Sequence, residues 1–330
     1  MKKQIGICAL IAVLVLMAVG CASFTEETEY ITNTAFITAV EEETDIDWTK
    51  AEDGTVPLTR ENLKAIRAVT ELDINHKKLT DLSGIEWFTG LEVLNCSDNR
   101  LTELDLSQNS NLWSLRCNSN QLRSLDLSQN TTLKDLECNS NQLTELDLPK
   151  NTLIVLECYS NRLTELDLSH NSVLDVLECG HNQLTELDLS RNRILSWLEC
   201  NSNQLTELDL SHNTALVGLD CSSNRLIELD LSHNTSLVAL DCNSNYLTKL
   251  DVSNNIALAG LLCINNQLSE LDLSHNTALE ELYCGSQKTS GGEVQELVLS
   301  LTVEQREIWD SYWASARIDK ANNYDVRIKE

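Results

Sequence analysis

A repeat of 21 residues predicts that most of this 330-residue chain folds as a right-handed solenoid of stacked coils. Cysteine returns at positions 96, 117, 138, 158, 179, 200, 221, 242, 263 and 284, and only the step from 138 to 158 is one residue short. Leucine recurs as L-x-x-L-x-C-x-x-N-x followed by L-x-x-L-D-L-S-x-N-x-x, as in residues 195–215. This leucine spacing at a fixed period is typical of leucine-rich repeat solenoids, in which each coil contacts only its neighbours.

The cysteine half of each repeat is predicted to supply one strand of a parallel, concave sheet. The register comes from residues 69–90, whose segment V-x-x-L-x-I aligns with Leu91–Cys96 of the first cysteine repeat. The LDLS halves then form the outer, convex side. We expect about eleven coils at the usual strand spacing, giving a rod or shallow arc roughly 50 Å long. The fold is mostly β here, although leucine-rich repeats belong by convention to the α/β class.

Residues 69–90 resemble the repeats of bacterial internalins, and the phrase LTDLSGIEWFTGLEVL carries this resemblance. From Leu91 onward, the nested halves of 10 and 11 residues resemble an irregular class of bacterial leucine-rich repeat. The resemblance implies a surface protein whose concave sheet binds a protein or glycan ligand in host or intercellular contact.

Five segments are predicted along the chain. They are a signal peptide (1–20), an acidic tether rich in Thr and Glu (21–50), an N-terminal helical cap (51–68), the solenoid (69–287) and a C-terminal cap (288–330). The tether shows neither a helical nor a strand period, which is typical of a solvated linker. Caps are expected because a solenoid exposes its apolar core and a strand edge at both ends.

Both caps carry recognisable signals. Thr59 is the expected N-cap of a short helix before the first coil. After the last cysteine, one more strand is expected around Leu297, and Thr302 with Gln305 forms a capping box that begins a helix. An alternating edge strand follows at Tyr324–Ile328. The C-terminal cap is therefore predicted to be strand, helix and strand.

The first twenty residues have the form of an export signal. Two lysines precede an apolar run from Ile5 to Val19 that is short for a bilayer span. Ala18-Val19-Gly20-Cys21 resembles the lipobox of bacterial lipoproteins, which implies cleavage before Cys21 and acylation of that residue. Because Ala22 follows rather than Asp, the resemblance also implies sorting to the outer membrane and the cell surface. Plain secretion and an uncleaved anchor are the alternatives.

The formal charge of −27 at pH 7 restricts the partners. So acidic a chain repels nucleic acids and anionic lipid headgroups, and it favours cationic or neutral ligands. No nucleophile elbow, phosphate loop or zinc protease motif appears in the sequence, so no enzymatic activity is predicted. We expect a monomer that meets the membrane only through its lipid anchor.

Stacking places like residues in columns. The cysteines are expected to be buried free thiols, because they form a line with one thiol per layer; some disulfides or a metal site are the alternatives. Two rows of asparagine run from Asn99 to Asn266 and from Asn109 to Asn276. Each is expected to bond the turn backbone of its own coil and the next, which satisfies groups that would otherwise be buried unpaired.

Carboxylates also form columns, with Asp105 to Asp272 on the convex half and Glu137 to Asp241 on the concave half. Charges about 5 Å apart in water repel by roughly 1 kcal/mol or less per pair. The simpler interpretation is a solvated face in which Asp bonds nearby turn backbone. The alternative is a divalent cation such as Ca²⁺ held by Asp188, Asp209 and Asp230, and no other cofactor is predicted.

The outward positions of the concave strands are the candidate ligand-binding residues. The convex halves repeat TELDLS almost unchanged, whereas these positions differ from coil to coil. Exposed apolar and aromatic residues in one patch indicate a partner, and Trp, Tyr and Arg dominate binding hot spots. Ordinary strand residues with high β-propensity are the alternative. The candidates are Trp113, Arg116, Lys134, Glu137, Val155, Glu157, Val176, Glu178, Trp197, Glu199, Val217, Asp220 and Asp241.

The sequence therefore predicts a lipid-anchored bacterial surface protein whose concave face binds a protein or glycan. The second hypothesis is an acidic spacer or envelope scaffold, with or without bound cations, that has no dedicated ligand.

Overall fold

The computed structural model describes residues 29–150, 152–293, 296–305 and 326–328. The signal peptide, Cys21 and the helix predicted after Gln305 lie outside these residues. Within them, a parallel sheet of eleven strands, the cysteine-side sheet, runs the length of the solenoid. Its strands are Glu71–Asp73, Val93–Asn95, Ser114–Arg116, Asp135–Glu137, Val155–Glu157, Val176–Glu178, Trp197–Glu199, Gly218–Asp220, Ala239–Asp241, Gly260–Leu262 and Glu281–Tyr283. The predicted leucine-rich repeat solenoid is confirmed.

Each strand is three residues long. Its central leucine faces the core, and the residues on either side of the leucine face outward. In the strand Trp197–Glu199, Leu198 is fully buried, and the residues on either side of it lie on the outer surface. Successive strands pair without a slip, so that Trp197 lies beside Gly218 and Glu199 beside Asp220. Residues at one repeat position therefore form straight columns across the sheet.

The cysteines fill the core beside the leucine columns. All ten repeat cysteines in the described part of the chain are buried free thiols, as predicted. Burial raises the pKa of the Cys96, Cys158 and Cys284 thiols to about 12. Since the thiolate is the reactive form, the column stays protonated and inert at neutral pH.

The first asparagine ladder joins each coil to the one before it. The amide nitrogen of Asn203 donates to the carbonyl oxygens of Cys200 and Cys179, each at 3.1 Å. Its Oδ1 accepts from the backbone N–H of Leu184 at 3.0 Å. Cys179 and Leu184 belong to the preceding coil. The predicted ladder is therefore confirmed, but its second partner is the preceding coil and not the next.

The second ladder, from Asn109 to Asn276, is bonded differently. The amide nitrogen of Asn213 donates to the carbonyl oxygens of Leu189 at 3.2 Å and Asn192 at 2.9 Å. Its Oδ1 is buried without a protein donor, and the same holds for most members of this ladder among the described residues. The ladder therefore fixes the spacing of the turns through its donors alone.

Glutamines end both ladders at the C-terminal side. Gln287 donates to the carbonyl oxygens of Cys263 and Cys284, both at 2.9 Å, and accepts from the backbone N–H of Leu268 at 3.0 Å. Gln305 donates to the carbonyl oxygens of Leu273 at 2.8 Å and Asn276 at 3.1 Å. Gln287 occupies the asparagine position of the last repeat, three residues after Cys284, whereas the longer side chain of Gln305 reaches the last coil from a segment outside the repeat.

The C-terminal cap begins as predicted. The backbone N–H of Thr302 donates to Gln305 Oε1 at 2.8 Å, and the N–H of Gln305 donates to Thr302 Oγ1 at 3.1 Å, which confirms the capping box. The strands Leu297–Ser300 and Val326–Ile328 extend a parallel sheet that starts at Glu270–Asp272. The additional strand therefore continues the LDL side of the solenoid.

The short coil between Cys138 and Cys158 leaves the cysteine-side sheet intact. Asp135 pairs with Val155 and Glu137 with Glu157, in the same register as elsewhere. On the opposite side of this coil, the amide nitrogen of Asn171 donates to the Pro149 carbonyl oxygen at 2.8 Å. On the LDL side, strands are found at Ser124–Asp126 and Glu145–Asp147, before the short repeat ends.

The N-terminal end differs from prediction, because the tether proposed for residues 21–50 is wrong from Tyr30 onward. The strand Tyr30–Ile31 pairs antiparallel with Val56–Pro57, and the helix α1, Thr34–Glu43, follows it. Phe36 is fully buried and packs edge-on against Phe88, with ring centroids 5.7 Å apart. The apolar residues of α1 are spaced on one face of the helix, so they gain stability by covering the first coil.

The predicted cap helix is confirmed as α2, Arg60–Ile66. Thr59 is its N-cap, and its side chain accepts from the backbone N–H of Asn62 at 3.2 Å. Ile66 is fully buried, and a 3-10 helix at Ile85–Trp87 follows in the first coil. The N-terminal cap is therefore larger than predicted, with two helices in place of one.

Candidate functional site

The outer surface of the cysteine-side sheet, called the cysteine face below, carries two parallel columns. Residues before the central leucine form the apolar column, which comprises Val155, Val176, Trp197, Gly218 and Ala239. Residues after it form the carboxylate column, which comprises Glu137, Glu157, Glu178, Glu199, Asp220 and Asp241. The unbroken register places each apolar residue beside a carboxylate on the same strand.

Further apolar and basic side chains border the cysteine face where the chain enters each strand. Trp113, Lys134, Ile154, Val217 and Val238 occupy this position and are exposed. The structure therefore brings the predicted candidates onto one continuous surface. Arg116 and Glu137 lie at its N-terminal end, and their side chains form an ion pair with Nε and Oε1 2.7 Å apart.

Trp197 is held in a defined position. Its indole N–H donates to Glu199 Oε1 at 2.9 Å, and the side chain remains 39% exposed. The ring lies over Gly218 on the next strand, since a β-carbon at Gly218 would come within 2.3 Å of the Trp197 ring. Because Gly218 has no side chain, the indole can pack directly against the backbone of the next strand.

Sequence reasoning missed the role of Gly218. The available signal was a glycine at a column position that holds valine or tryptophan in the three preceding coils. A glycine in a strand often marks a place where another group approaches closely. Here that group is an aromatic ring on the neighbouring strand, and it is displayed to solvent in a fixed orientation.

Three members of the carboxylate column, Glu157, Glu178 and Asp241, are costly to ionise. Burial raises the pKa of Glu157 to about 7, with further contributions from Glu178 and Glu137 on the neighbouring strands. Burial also raises the pKa of Glu178, where Glu199 adds to the effect, and the pKa of Asp241. Like charges in one column and the partial loss of solvent both disfavour the charged carboxylate. Among the described residues, Arg116 forms an ion pair with the column at Glu137 alone, so the negative charge of the column is only partly compensated.

The LDL side carries a second acidic surface. Its Glu and Asp columns line an open groove of about 1370 Å³, whose floor is formed by leucines such as Leu187 and Leu208. Asp188, Asp209 and Asp230 each accept a bond from a serine backbone N–H at 2.9 Å. Hydrogen bonds from the side chain and the backbone of that serine lower the pKa of the three carboxyls. The predicted Asp–turn bonds are thus confirmed.

Metal binding gains no geometric support from this groove. Within the described ranges, no group of three or more His, Cys, Asp or Glu side chains is arranged to hold a metal ion. Ca²⁺ binding at Asp188, Asp209 and Asp230 stays a prediction.

None of the helices that the structure describes is long and apolar enough to cross a bilayer.

Solved structures with this architecture are leucine-rich repeat proteins. The functional domain of InlJ from Listeria monocytogenes, which includes a cysteine ladder, has 35% sequence identity and a TM-score of 0.60. The match covers 82% of this chain, and this chain spans 64% of that domain. A leucine-rich repeat protein of Leptospira interrogans has a TM-score of 0.63 and 23% identity, covering 79% of this chain and 86% of the other. The YopM effector of Yersinia pestis has a TM-score of 0.53 and 26% identity, with 72% and 73% covered.

These comparisons define the class of protein. The chain is a leucine-rich repeat solenoid, similar to internalin-type proteins. Neither a protein-family model nor a curated protein matches the sequence.

Proposed function

We propose that this protein is exported, anchored through a lipid at Cys21, and binds a protein or glycan ligand through the cysteine face. The observation that carries the proposal is Trp197, whose aromatic ring lies against Gly218 and remains 39% exposed. A preorganised aromatic residue loses little conformational freedom on binding, which is why such residues dominate interfaces.

The variability of the cysteine face favours it over the LDL side. On the LDL side, the same Glu-Leu-Asp sequence recurs from coil to coil, as at 165–167, 186–188 and 207–209. The cysteine face instead changes from Val176 to Trp197 to Gly218 in successive strands. A uniform surface suits a spacer, whereas a surface that differs at each coil can be complementary to one ligand.

The ligand proposal is tested by capture from envelope and host-cell extracts. The bait is the chain without its signal peptide and with Cys21→Ser, compared with the same bait carrying Trp197→Ala. The matched control is Ile227→Ala, since Ile227 is 63% exposed but lies off the cysteine face. We expect a captured ligand to be lost with Trp197→Ala and retained with the control. Equal capture by all three baits would move the site away from the cysteine face, whereas capture by none of them would favour the acidic spacer.

The anchor is tested separately in bacterial cells. The unchanged protein should incorporate a labelled fatty acid and fractionate with the outer membrane. Cys21→Ser should remove the label and release the protein from the membrane fraction. A wild-type protein that is soluble and unlabelled would contradict the lipid anchor without affecting the binding face.

A further inference from the structure

We infer that the cysteine face is the docking surface for an extended basic segment of a partner protein, in which Lys or Arg alternates with apolar residues. The inference rests on the proposed function, because it names the ligand chemistry of the same face. It is argued from the charge, the paired columns and the spacing of the strands.

Charge selects a cationic partner. Six adjacent strands each place one carboxylate in the same column, from Glu137 to Asp241. Among the described residues, Arg116 is the basic side chain that forms an ion pair with this column, and it does so at Glu137 alone. The members that follow Glu137 therefore repel one another with little compensation. A ligand that places cations along the column relieves this repulsion, which a neutral glycan cannot do.

The column has defined ends. Arg116 precedes Glu137 in the same register position, and Leu262 and Tyr283 follow Asp241. The basic residue repels a cationic ligand at one end, while the apolar residues end the attraction at the other. The acidic stretch is thereby limited to six strands, which at a spacing of about 4.8 Å extend over roughly 24 Å.

This length and the two columns together favour an extended ligand. A strand advances about 3.4 Å per residue and points alternate side chains in opposite directions, so about seven residues cover 24 Å. A segment lying between the columns can point its basic residues at the carboxylates and its apolar residues at Val155, Val176 and the Trp197 ring. A helix of the usual ~10 Å diameter presents one stripe of side chains, which matches a single column.

The ligand lies across the strands and does not extend the sheet. The backbone groups of the central strands already bond to their neighbours on both sides, as at Trp197–Glu199 between Val176–Glu178 and Gly218–Asp220. Recognition must therefore come from side chains. Binding is consequently expected to depend on the alternation of Lys with apolar residues as well as on the net charge of the segment.

The test uses an acetylated, amidated and fluorescently labelled heptapeptide, Lys-Val-Lys-Val-Lys-Val-Lys, whose binding to the Cys21→Ser chain is followed by anisotropy. Two triple variants each replace three glutamates by glutamine, one glutamate in each of the same three coils. One is Glu157→Gln, Glu178→Gln and Glu199→Gln on the cysteine face. The matched control is Glu165→Gln, Glu186→Gln and Glu207→Gln on the LDL side, where all three side chains are exposed.

We expect the cysteine-face triple to bind the peptide about tenfold more weakly, and the control to change the Kd by less than about twofold. A peptide with the same composition in the order Lys-Lys-Lys-Lys-Val-Val-Val should bind more weakly than the alternating one. Both triples should unfold cooperatively on heating, because neither removes a buried contact.

Equal weakening by both triples would show attraction to the whole acidic chain and would overturn the inference. Failure of the wild-type chain to bind the alternating peptide would overturn it as well. Either result leaves the proposed function standing if capture of a ligand from extracts is still lost with Trp197→Ala. If Trp197→Ala leaves that capture unaffected while the peptide still distinguishes the two triple variants, the cysteine face binds basic segments, but Trp197 does not contribute to binding.

Discussion

Replacement of Glu157 by Gln should stabilise the protein at pH 8, because this carboxyl is costly to ionise in the folded state. Its pKa is raised from 4.5 to about 7, first by burial and then by Glu178 and Glu137, with Arg116 acting in the opposite direction. A difference of this size corresponds to about 3 kcal/mol before solvent screening is considered. Because Glu157 is only half-buried, screening by solvent reduces the expected stabilisation to roughly 1 kcal/mol.

The dependence on pH follows from the direction of the shift. The folded protein holds the Glu157 proton more tightly than the unfolded chain, so its stability falls as the pH rises from about 4.5 to about 7. Above this window the carboxyl is ionised in both states, and the penalty is constant. Glutamine does not ionise, so the variant should gain most at pH 8 and nothing near pH 4.5.

Thermal unfolding at low salt measures this effect. At pH 8, Glu157→Gln should raise the Tm by about 2 °C, and the gain should disappear near the acidic end of the window. Glu165→Gln on the exposed LDL side of the same coil is the control, and it should change little at either pH. An NMR titration of the Glu157 carboxyl carbon gives the pKa directly. A Tm gain that is equal at both pH values, or a loss at pH 8, would refute the electrostatic reasoning.

Three further changes test other parts of the structure. Gly218→Ala should displace the Trp197 ring and cost about 1–3 kcal/mol of unfolding free energy in urea, since the new β-carbon would lie 2.3 Å from that ring. Gly260→Ala, two strands further on, meets only Glu281 Oε2 at 4.0 Å and should be nearly neutral. Asn203→Ala should cost about 2–4 kcal/mol because it leaves the N–H of Leu184 buried and unpaired, whereas Gln204→Ala should be tolerated. Phe36→Ala should destabilise the N-terminal end by about 3–5 kcal/mol and make residues 29–48 more sensitive to proteolysis. An unchanged rate of proteolysis in that variant would favour the original prediction of a tether for this segment.

The solenoid could be predicted from the sequence because every repeat makes the same contacts. Leu198 lies in the core, and Trp197 and Glu199 lie outside it, because successive side chains of a strand point to opposite faces of the sheet. The fixed period then gives the strand register, the thiol column and both asparagine ladders. The sequence does not show which neighbouring coil each asparagine bonds, because the repeat before it and the repeat after it are the same.

The N-terminal cap could not be predicted in this way, because its contacts are distant in the chain. Asn33 caps α1 and also donates to Asp81 at 2.7 Å, and Ile31 packs against Gly84. Composition alone made this segment look like a solvated linker. The apolar face of α1 is stabilised only by packing against the first coil, which the local sequence does not show.

The candidate site was predicted in its residues but not in its arrangement. The outward positions of Trp197, Glu199 and Glu157 follow from the register, so their presence on one face is confirmed. The position of the Trp197 ring depends on a side-chain rotamer and on the empty space above Gly218, neither of which is encoded by spacing. The raised pKa of Glu157 likewise depends on how deeply the carboxylate column lies in its surroundings.

The first asparagine ladder also gives the solenoid a direction of assembly. The buried N–H of Leu184 is satisfied by Asn203 of the following coil, and the N–H of Leu205 in turn by Asn224. A coil is therefore incomplete until its successor has folded onto it. If the chain folds from its N-terminus, each new coil completes the one before it. The last coil is completed by Gln287, which accepts from the backbone N–H of Leu268.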